Sequence, residues 1–139
     1  MDFLGTGNAF CPSGRMHALA ILDEKILIDA PPTLLVQLRR SDISTGQIEH
    51  ILFTHWHGDH AFGFPFLILD RKYITDTSAD KILALHHRPG GREYLTSLSK
   101  LGFPGSLEDF LESRIFWNNE ESGICLLYTS DAADETVSV

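Results

Sequence analysis

The 139-residue chain has 43% hydrophobic and 22% charged residues, the balance expected of one globular domain. Its net charge of -8 disfavours a broad nucleic-acid surface, because sequence-independent phosphate binding needs clustered Lys and Arg. Two cysteines are too few for a disulfide framework, and no apolar run approaches the roughly 20 residues that span a bilayer. We therefore expect a cytoplasmic protein with no membrane association.

The first half of the chain predicts strands and one helix. Residues 2–4 favour a short strand, and the two glycines that follow permit a tight turn or a close approach of backbone to a ligand. Residues 17–22 and 25–30 are β-rich runs separated by two acidic residues, which predicts a hairpin. Two prolines then favour a helix over residues 31–40. The continuous apolar run in 48–54 predicts a strand that is buried on both faces.

The second half continues the alternation of strands and helices. Residues 61–69 predict a buried helix, although Gly63 and Pro65 disfavour one. A strand is predicted over 81–86, followed by a helix that opens at Pro89. A short helix at 107–111 and a strand at 113–117 complete the series, and this last strand is expected to lack its partner. Strands alternating with helices indicate an α/β architecture.

The stretch FTHWHGDH, residues 53–60, places four metal-capable side chains within six positions. His55 and His57 can project together from an extended loop and bind one divalent ion. Asp59 and His60 follow one turn further on, at the start of the next helix, and can bind a second ion. The glycine between them at position 58 lets the loop turn sharply. The alternatives are an exposed His-rich loop and histidines that are satisfied by hydrogen bonds. Both are disfavoured by the spacing and because an apolar strand precedes the stretch and an apolar segment follows it.

This imidazole and carboxylate ligand set suits Zn²⁺, and also Fe or Mn. Two such ions would share and deprotonate one water molecule, which supplies a hydroxide nucleophile at neutral pH. The ions would also hold the oxygen atoms of the group that is cleaved. The stretch therefore predicts a hydrolytic metal centre with two divalent ions, Zn²⁺ in preference to Fe or Mn.

The chain resembles the metallo-β-lactamase fold hydrolases, whose HxHxDH motif is carried here by His55, His57, Asp59 and His60. Asp29 follows the apolar run 26–28 and is similar to the family's first motif, an aspartate that lies beneath the metal loop and supports the ligands. Capping the helix after Pro31 is the other role considered for this residue, and it is compatible with support of the ligands. The sequences LGTG at 4–7 and IDA at 28–30 are similar to the ribonuclease Z and phosphodiesterase branch.

The resemblance implies the N-terminal half of a four-layer αβ/βα sandwich with a two-metal site at its edge. It implies three further ligands beyond residue 123, which are a histidine, a bridging aspartate and a last histidine. It also implies cleavage of a phosphodiester in RNA or a small-molecule nucleotide, with Asp59 and His60 as catalytic residues, and a possible homodimer. The alternatives are an ester, lactone or thioester hydrolase on the same fold and a non-catalytic binding member. No substrate-binding residue is identified.

The end of the chain is interpreted as foreign to the domain. Residues 125–134 can be encoded as TGT CTC TTA TAC ACA TCT GAC GCT GCC GAC, which resembles a transposon-derived sequencing adapter. Residues 124–139 are therefore predicted to be adapter read-through, and 1–123 to be a partial domain whose natural frame continues. A native acidic tail is the alternative. We expect the chain as given to be inactive, to bind zinc weakly and to aggregate through an exposed sheet edge and apolar face.

Other chemically capable residues are given structural interpretations. His86 and His87 end a strand close behind the motif and are not taken as the missing ligands. Cys11 has no identifiable base partner and is not taken as a nucleophile. Trp56 can line the substrate pocket or cover an edge of the core, and both roles stay open. His17 is interpreted as a packing or surface residue, and Arg71-Lys72 as a solvated helix end. Phe62, Phe64 and Phe66 are interpreted as core residues.

Overall fold

The computed structural model describes residues 1–76 and 81–119, which form one sheet and five helices. The strands are β1 (Asp2–Gly5), β2 (Leu19–Leu22), β3 (Ile26–Ile28), β4 (His50–Leu52), β5 (Leu83–His86) and β6 (Ile115–Asn118). The helices are α1 (Leu34–Arg40), α2 (Gly58–Ala61), α3 (Phe64–Asp70), α4 (Gly91–Gly102) and α5 (Glu108–Ser113). Short 3₁₀ turns occur at Pro12–Gly14 and Thr45–Gln47, and one π turn at Arg71–Thr75. No helix in these ranges has the length and apolar character needed to cross a membrane.

The strands follow their chain order across the sheet, from β1 to β6. The first three are antiparallel, and β3 to β6 are parallel. Asp23 and Glu24 join β2 to β3 with φ angles of 53° and 57°. Two successive left-handed residues are the signature of a tight hairpin turn, so the predicted hairpin is confirmed. Helices connect the parallel strands, as parallel pairing requires.

The two faces of the sheet differ in burial. Ile21, Leu27, Ile51 and Leu85 lie in one register row and are fully buried beneath the helices. We call the opposite side the open face. It carries half-buried side chains along the middle strands, while Phe3 and Phe116 towards its two edges are 69% and 55% exposed. The predicted exposure of an apolar sheet face is therefore present among the described residues.

Most predicted elements occur at their expected places, and three details differ. The first helix begins at Leu34, with Thr33 rather than Asp29 at its N-cap position. The predicted helix at 61–69 is interrupted, and Pro65 lies in the first turn of α3, where its missing N–H is tolerated. The strand at the end of the described chain has a partner, because β6 pairs in parallel with β5. The prediction that it lacks one was wrong, since the connection through α4 and α5 returns beside β5.

Two interpretations of side-chain placement were also wrong. Phe64 is fully buried, but Phe62 and Phe66 are 49% and 46% exposed, so the series is not a continuous core. Arg71 is buried rather than solvated. Its guanidinium donates to Asp76 Oδ2 at 2.7 Å and to the carbonyl of Ile48, so its charge is paired. The predicted read-through segment at 124–139 lies outside the described residues, and the domain boundary at 123 stays a prediction.

Candidate metal centre

The motif stretch, residues 53–60, lies where the parallel strands end. It leaves β4 at Leu52, runs through His55 and His57, and enters α2 at Gly58. Because β3 and β5 flank β4 in parallel, all three strands end at the same edge of the sheet. Open α/β sheets place ligand sites at this carboxyl edge.

The structure brings the four predicted ligands together. One ligand atom from each of His55, His57 and Asp59 lies within 4.8 Å of the others. The ring of His60 lies 3.7 Å from that of His55 between centroids, and its Nε2 is 3.3 Å from Asp59 Oδ2. Two ligands of one tetrahedral zinc ion are about 3.3 Å apart when each bond is about 2.0 to 2.1 Å. Asp59 and His60 already have this spacing. The ligand atoms of His55, His57 and Asp59 lie within 4.8 Å of one another and need only small side-chain movements to reach it.

Asp29 lies beneath this cluster and is 4% exposed. Its Oδ1 accepts from the backbone N–H of Thr54 at 2.7 Å, and its Oδ2 accepts from the Thr54 hydroxyl at 2.6 Å and from His60 Nδ1 at 2.7 Å. An ionised carboxylate only accepts, so His60 Nδ1 carries the proton and Nε2 is left to face Asp59. Asp29 therefore bonds the motif stretch, and the helix-capping alternative is wrong because Thr33 holds that position.

The backbone around Asp29 is held close to the same stretch. Asp29 has a left-handed φ of 70°, and the next residue, Ala30, donates its N–H to the carbonyl of His60 at 2.7 Å. Gly63 in turn donates to the carbonyl of Ala30 at 2.8 Å. A Cβ at Gly63 would lie 1.9 Å from the carbonyl oxygen of Pro31, so only glycine fits there. The predicted helix is interrupted at this position, where the Gly63 N–H bonds the carbonyl of Ala30 outside the helix.

Gly58 has a different role from the predicted one. It is the first residue of α2 and is absent from the described glycines with positive φ, so its special backbone freedom is not used. A Cβ at this position would lie 2.8 Å from the ring of Phe62. The glycine therefore provides space for the phenyl ring rather than a sharp turn.

Tyr94 of α4 is a contact of the motif stretch that the sequence did not reveal. Its hydroxyl donates to the carbonyl of Trp56 at 2.8 Å, and the two rings lie 5.0 Å apart at 30°. Trp56 also packs 5.3 Å from the ring of Phe53 and lies against the core. The structure therefore supports the second role considered for Trp56, which is to cover an edge of the core. Burial raises the pKa of the Tyr94 hydroxyl above its usual value.

The other histidines lie apart from this cluster. His86 Nε2 is 3.0 Å from His50 Nδ1 on the open face, and His86 Nδ1 is 2.8 Å from the Asn118 side chain. His87 is buried with Nδ1 bonded to the carbonyl of Arg88 at 2.8 Å. Within the described ranges, the only group of three or more His, Cys, Asp or Glu residues suited to a metal is His55, His57 and Asp59. His86 and His87 are therefore not part of it.

Cys11 and the polar cleft at the opposite edge of the sheet offer no competing site. Cys11 is partly exposed, in a left-handed conformation at the start of a 3₁₀ turn. A cleft of about 460 Å³ lies at the edge where the parallel strands begin and is lined by Lys25, Glu49 and Lys81 among others. That edge is opposite the motif stretch. We therefore take the histidine cluster, and not this cleft, as the candidate centre.

Comparison with known proteins shows the same fold. Ribonuclease Z of Listeria welshimeri is 33% identical over 129 residues, which cover 88% of this chain and 39% of that protein. The human short-form tRNase Z structure matches with a TM-score of 0.60 and 23% identity over 84% of this chain and 42% of that one. The metallo-β-lactamase fold protein YhfI of Bacillus subtilis matches with a TM-score of 0.54 and 12% identity over 86% and 45%.

The solved structures show a metallo-β-lactamase fold, and the 33% identical relative places the chain in the ribonuclease Z-like branch of that fold. The model of the family described as Anti-Pycsar protein Apyc1 matches residues 1–89, and the chain belongs to that family. The chain spans about two fifths of the length of the ribonuclease Z to which it is compared, at 39%.

Proposed function

We propose that this chain carries the first metal-binding segment of a metal-dependent phosphodiesterase that acts on RNA or on a nucleotide. The observation that carries the proposal is the convergence of His55, His57 and Asp59, with ligand atoms within 4.8 Å, beside a His60 held by Asp29. Ribonuclease Z, the name of the 33% identical relative, denotes cleavage of RNA. The description of the Apyc1 family names no substrate, so RNA and a nucleotide both stay open.

The donor set supports two divalent ions, with zinc preferred over iron or manganese. Neutral imidazole and carboxylate are common zinc ligands, and the site lacks the all-oxygen set that Mg²⁺ or Ca²⁺ prefers. His55 and His57 would hold one ion and His60 the second, while Asp59 lies close to both groups. When bound, such ions lower the pKa of a water molecule and polarise phosphoryl oxygens.

The protein's own residues prepare the site for this chemistry. Asp29 fixes the ring of His60 with Nε2 towards Asp59, and its three accepted hydrogen bonds hold the motif stretch against β3. His57 is exposed while His55 is buried, so His57 is the more accessible of these two ligands in this chain. We assign Asp59 and His60 to catalysis because, as metal ligands, they would hold the ion that activates the reacting water.

The 139-residue chain itself should bind zinc weakly and hydrolyse no phosphodiester. The resemblance implies three more ligands than the four present in this chain, and two ions sharing four ligands have open coordination positions. The exposed Phe3 and Phe116 on the open face favour association of the isolated chain. A cytoplasmic location and a homodimer of the full-length protein belong to the same proposal.

The proposal is tested with the protein extended through the predicted frame beyond residue 123. We would compare hydrolysis of a phosphodiester, such as bis-p-nitrophenyl phosphate, with that of a carboxylic ester and a lactone, each with and without added zinc. Zinc-dependent phosphodiesterase activity that is lost in Asp59→Asn supports the proposal. A zinc-loaded, folded protein that cleaves only the carboxylic ester or lactone contradicts it, and so does one that cleaves none of the substrates.

A further inference from the structure

We propose that Thr54 is a positioning residue, which transmits the orienting effect of Asp29 to His55 and so fixes the nitrogen that His55 offers to a metal. The inference rests on the proposed metal site but concerns a hydrogen-bonding state that exists without metal. Under this proposal the buried carboxylate of Asp29 orients one histidine at each of the two predicted metal positions. It orients His60 directly and His55 through Thr54.

The contacts form a continuous chain of three side chains. The Thr54 hydroxyl lies 2.6 Å from Asp29 Oδ2 and 3.2 Å from Nδ1 of His55. The backbone N–H of Thr54 donates to the other oxygen of Asp29 at 2.7 Å. Thr54 is thus bonded twice to the same carboxylate, which leaves its side chain little freedom to turn away from His55.

The direction of each hydrogen bond follows from the chemistry of the groups. Asp29 meets three donors and, as a carboxylate, only accepts, so the single hydroxyl proton of Thr54 points to Asp29. The hydroxyl oxygen can then only accept from His55, which requires a proton on Nδ1. A neutral imidazole with Nδ1 protonated coordinates through Nε2. The same logic holds for His60, whose Nδ1 donates to Asp29 at 2.7 Å.

The inference is tested first by the tautomer of His55 in the metal-free chain, read from ¹H–¹⁵N correlations of the ring nitrogens at pH 8. The signal is assigned with a His55→Asn variant. Wild type and Thr54→Ser should show Nδ1 protonated, whereas Thr54→Val, which lacks the acceptor, should show a mixture or the other tautomer. A wild-type His55 protonated on Nε2 overturns the inference, as does an unchanged tautomer in Thr54→Val.

The second test is zinc affinity, measured by competition with a chromophoric chelator. Thr54→Val should bind zinc about 10 to 100-fold more weakly, the usual effect of losing a group that orients a ligand, and Thr54→Ser should restore the affinity. Thr45→Val is the matched control, because the buried Thr45 hydroxyl also donates to a carboxylate, Asp70 Oδ2, at 2.7 Å. That variant should lose stability but keep the wild-type affinity.

The two tests separate this inference from the proposed function. Wild-type zinc affinity in folded Thr54→Val overturns the positioning role. A wild-type chain that binds no zinc contradicts the proposed metal site. The positioning role of Thr54 is still supported in that case if Nδ1 of His55 is protonated only when position 54 carries a hydroxyl. If Thr54→Val fails to fold, the tautomer of the wild type and of Thr54→Ser still decides.

Discussion

The Nδ1 of His60 donates a 2.7 Å hydrogen bond to Oδ2 of Asp29, a residue 31 positions earlier in the chain. This bond joins the end of β3 to the helix that begins in the motif stretch, and it leaves the second ring nitrogen of His60 3.3 Å from Asp59. Asp29, which is only 4% exposed, therefore orients the ligand cluster from within the protein. The first prediction follows from this relationship.

Replacing Asp29 by Asn should weaken zinc binding about 10 to 100-fold, because His60 loses its ionised acceptor. It should also lower the free energy of unfolding by about 1 to 3 kcal/mol, because the NH₂ group of asparagine cannot accept the hydrogen bonds that a carboxylate oxygen accepts. Zinc titration and urea unfolding measure the two effects.

Asp70→Asn is the matched control for this change. The side chains of Asp29 and Asp70 are 6% and 9% exposed, and both accept hydrogen bonds from two other residues. Asp70 bonds Arg39 and Thr45, away from the motif stretch. Asp70→Asn should destabilise the chain but leave zinc affinity unchanged. Equal losses of affinity in both variants would show that Asp29 acts only through folding.

Gly63→Ala should destabilise the chain by about 3 kcal/mol or more, because its Cβ would lie 1.9 Å from the carbonyl oxygen of Pro31. Relief of this clash would move the backbone that bonds His60, so zinc affinity should fall as well. At Gly102 a Cβ would have only ordinary contact with Pro65, at 3.6 Å, and Gly102→Ala should be nearly neutral. Thermal unfolding of the two variants compares them, and similar melting temperatures would contradict the close approach.

Tyr94→Phe should cost about 1 kcal/mol, since it removes one hydrogen bond to the carbonyl of Trp56 and keeps the ring contact. The pKa of Tyr94 is raised by burial, so the folded state favours the protonated phenol. Stability from this group is full below the ordinary value of 10.0 and is lost as pH rises above it towards the folded value. Urea unfolding from pH 8 to 11 should show a decline that is smaller in Tyr94→Phe, and parallel curves would contradict this.

Asp109→Asn should cost about 0.2 to 1 kcal/mol at pH 7, the range for exposed ion pairs. The hydrogen bond from Lys72, at 2.8 Å, lowers the pKa of Asp109 below its usual 3.8. A lowered folded pKa means that this stability is present above the ordinary value and is lost as pH falls through the folded one. The difference between wild type and Asp109→Asn should therefore vanish in strong acid. A difference that persists at pH 2 would mean the carboxylate contributes by another route.

The cluster of ligands could be predicted because its members lie within six positions after one apolar strand, so local geometry alone brings them together. The contacts that orient them come from elsewhere in the chain. Tyr94 lies 38 positions from Trp56, and no local pattern links the two. Asp29 was predicted from family resemblance, whereas its bond to Thr54 depends on the pairing of β3 with β4.

The errors in side-chain placement have physical causes. Positions two apart on a helix point in nearly opposite directions, so Phe62, Phe64 and Phe66 could share one face only in a strand. The structure places Phe64 and Phe66 on α3, with Phe64 inward. Arg71 is buried because Asp76 and the carbonyl of Ile48 satisfy its charge there. Arginine is usually exposed, and the sequence alone does not show that Asp76 and the distant carbonyl of Ile48 meet at the guanidinium of Arg71.

The most direct test of the central claim is a zinc titration of the 139-residue chain by calorimetry, comparing wild type with two double variants. His55→Gln/His57→Gln removes two predicted ligands, and His50→Gln/His86→Gln removes the hydrogen-bonded pair on the open face. We expect zinc binding to be lost in the first and kept in the second. Unchanged binding in a folded His55→Gln/His57→Gln variant would contradict the assignment of the metal centre.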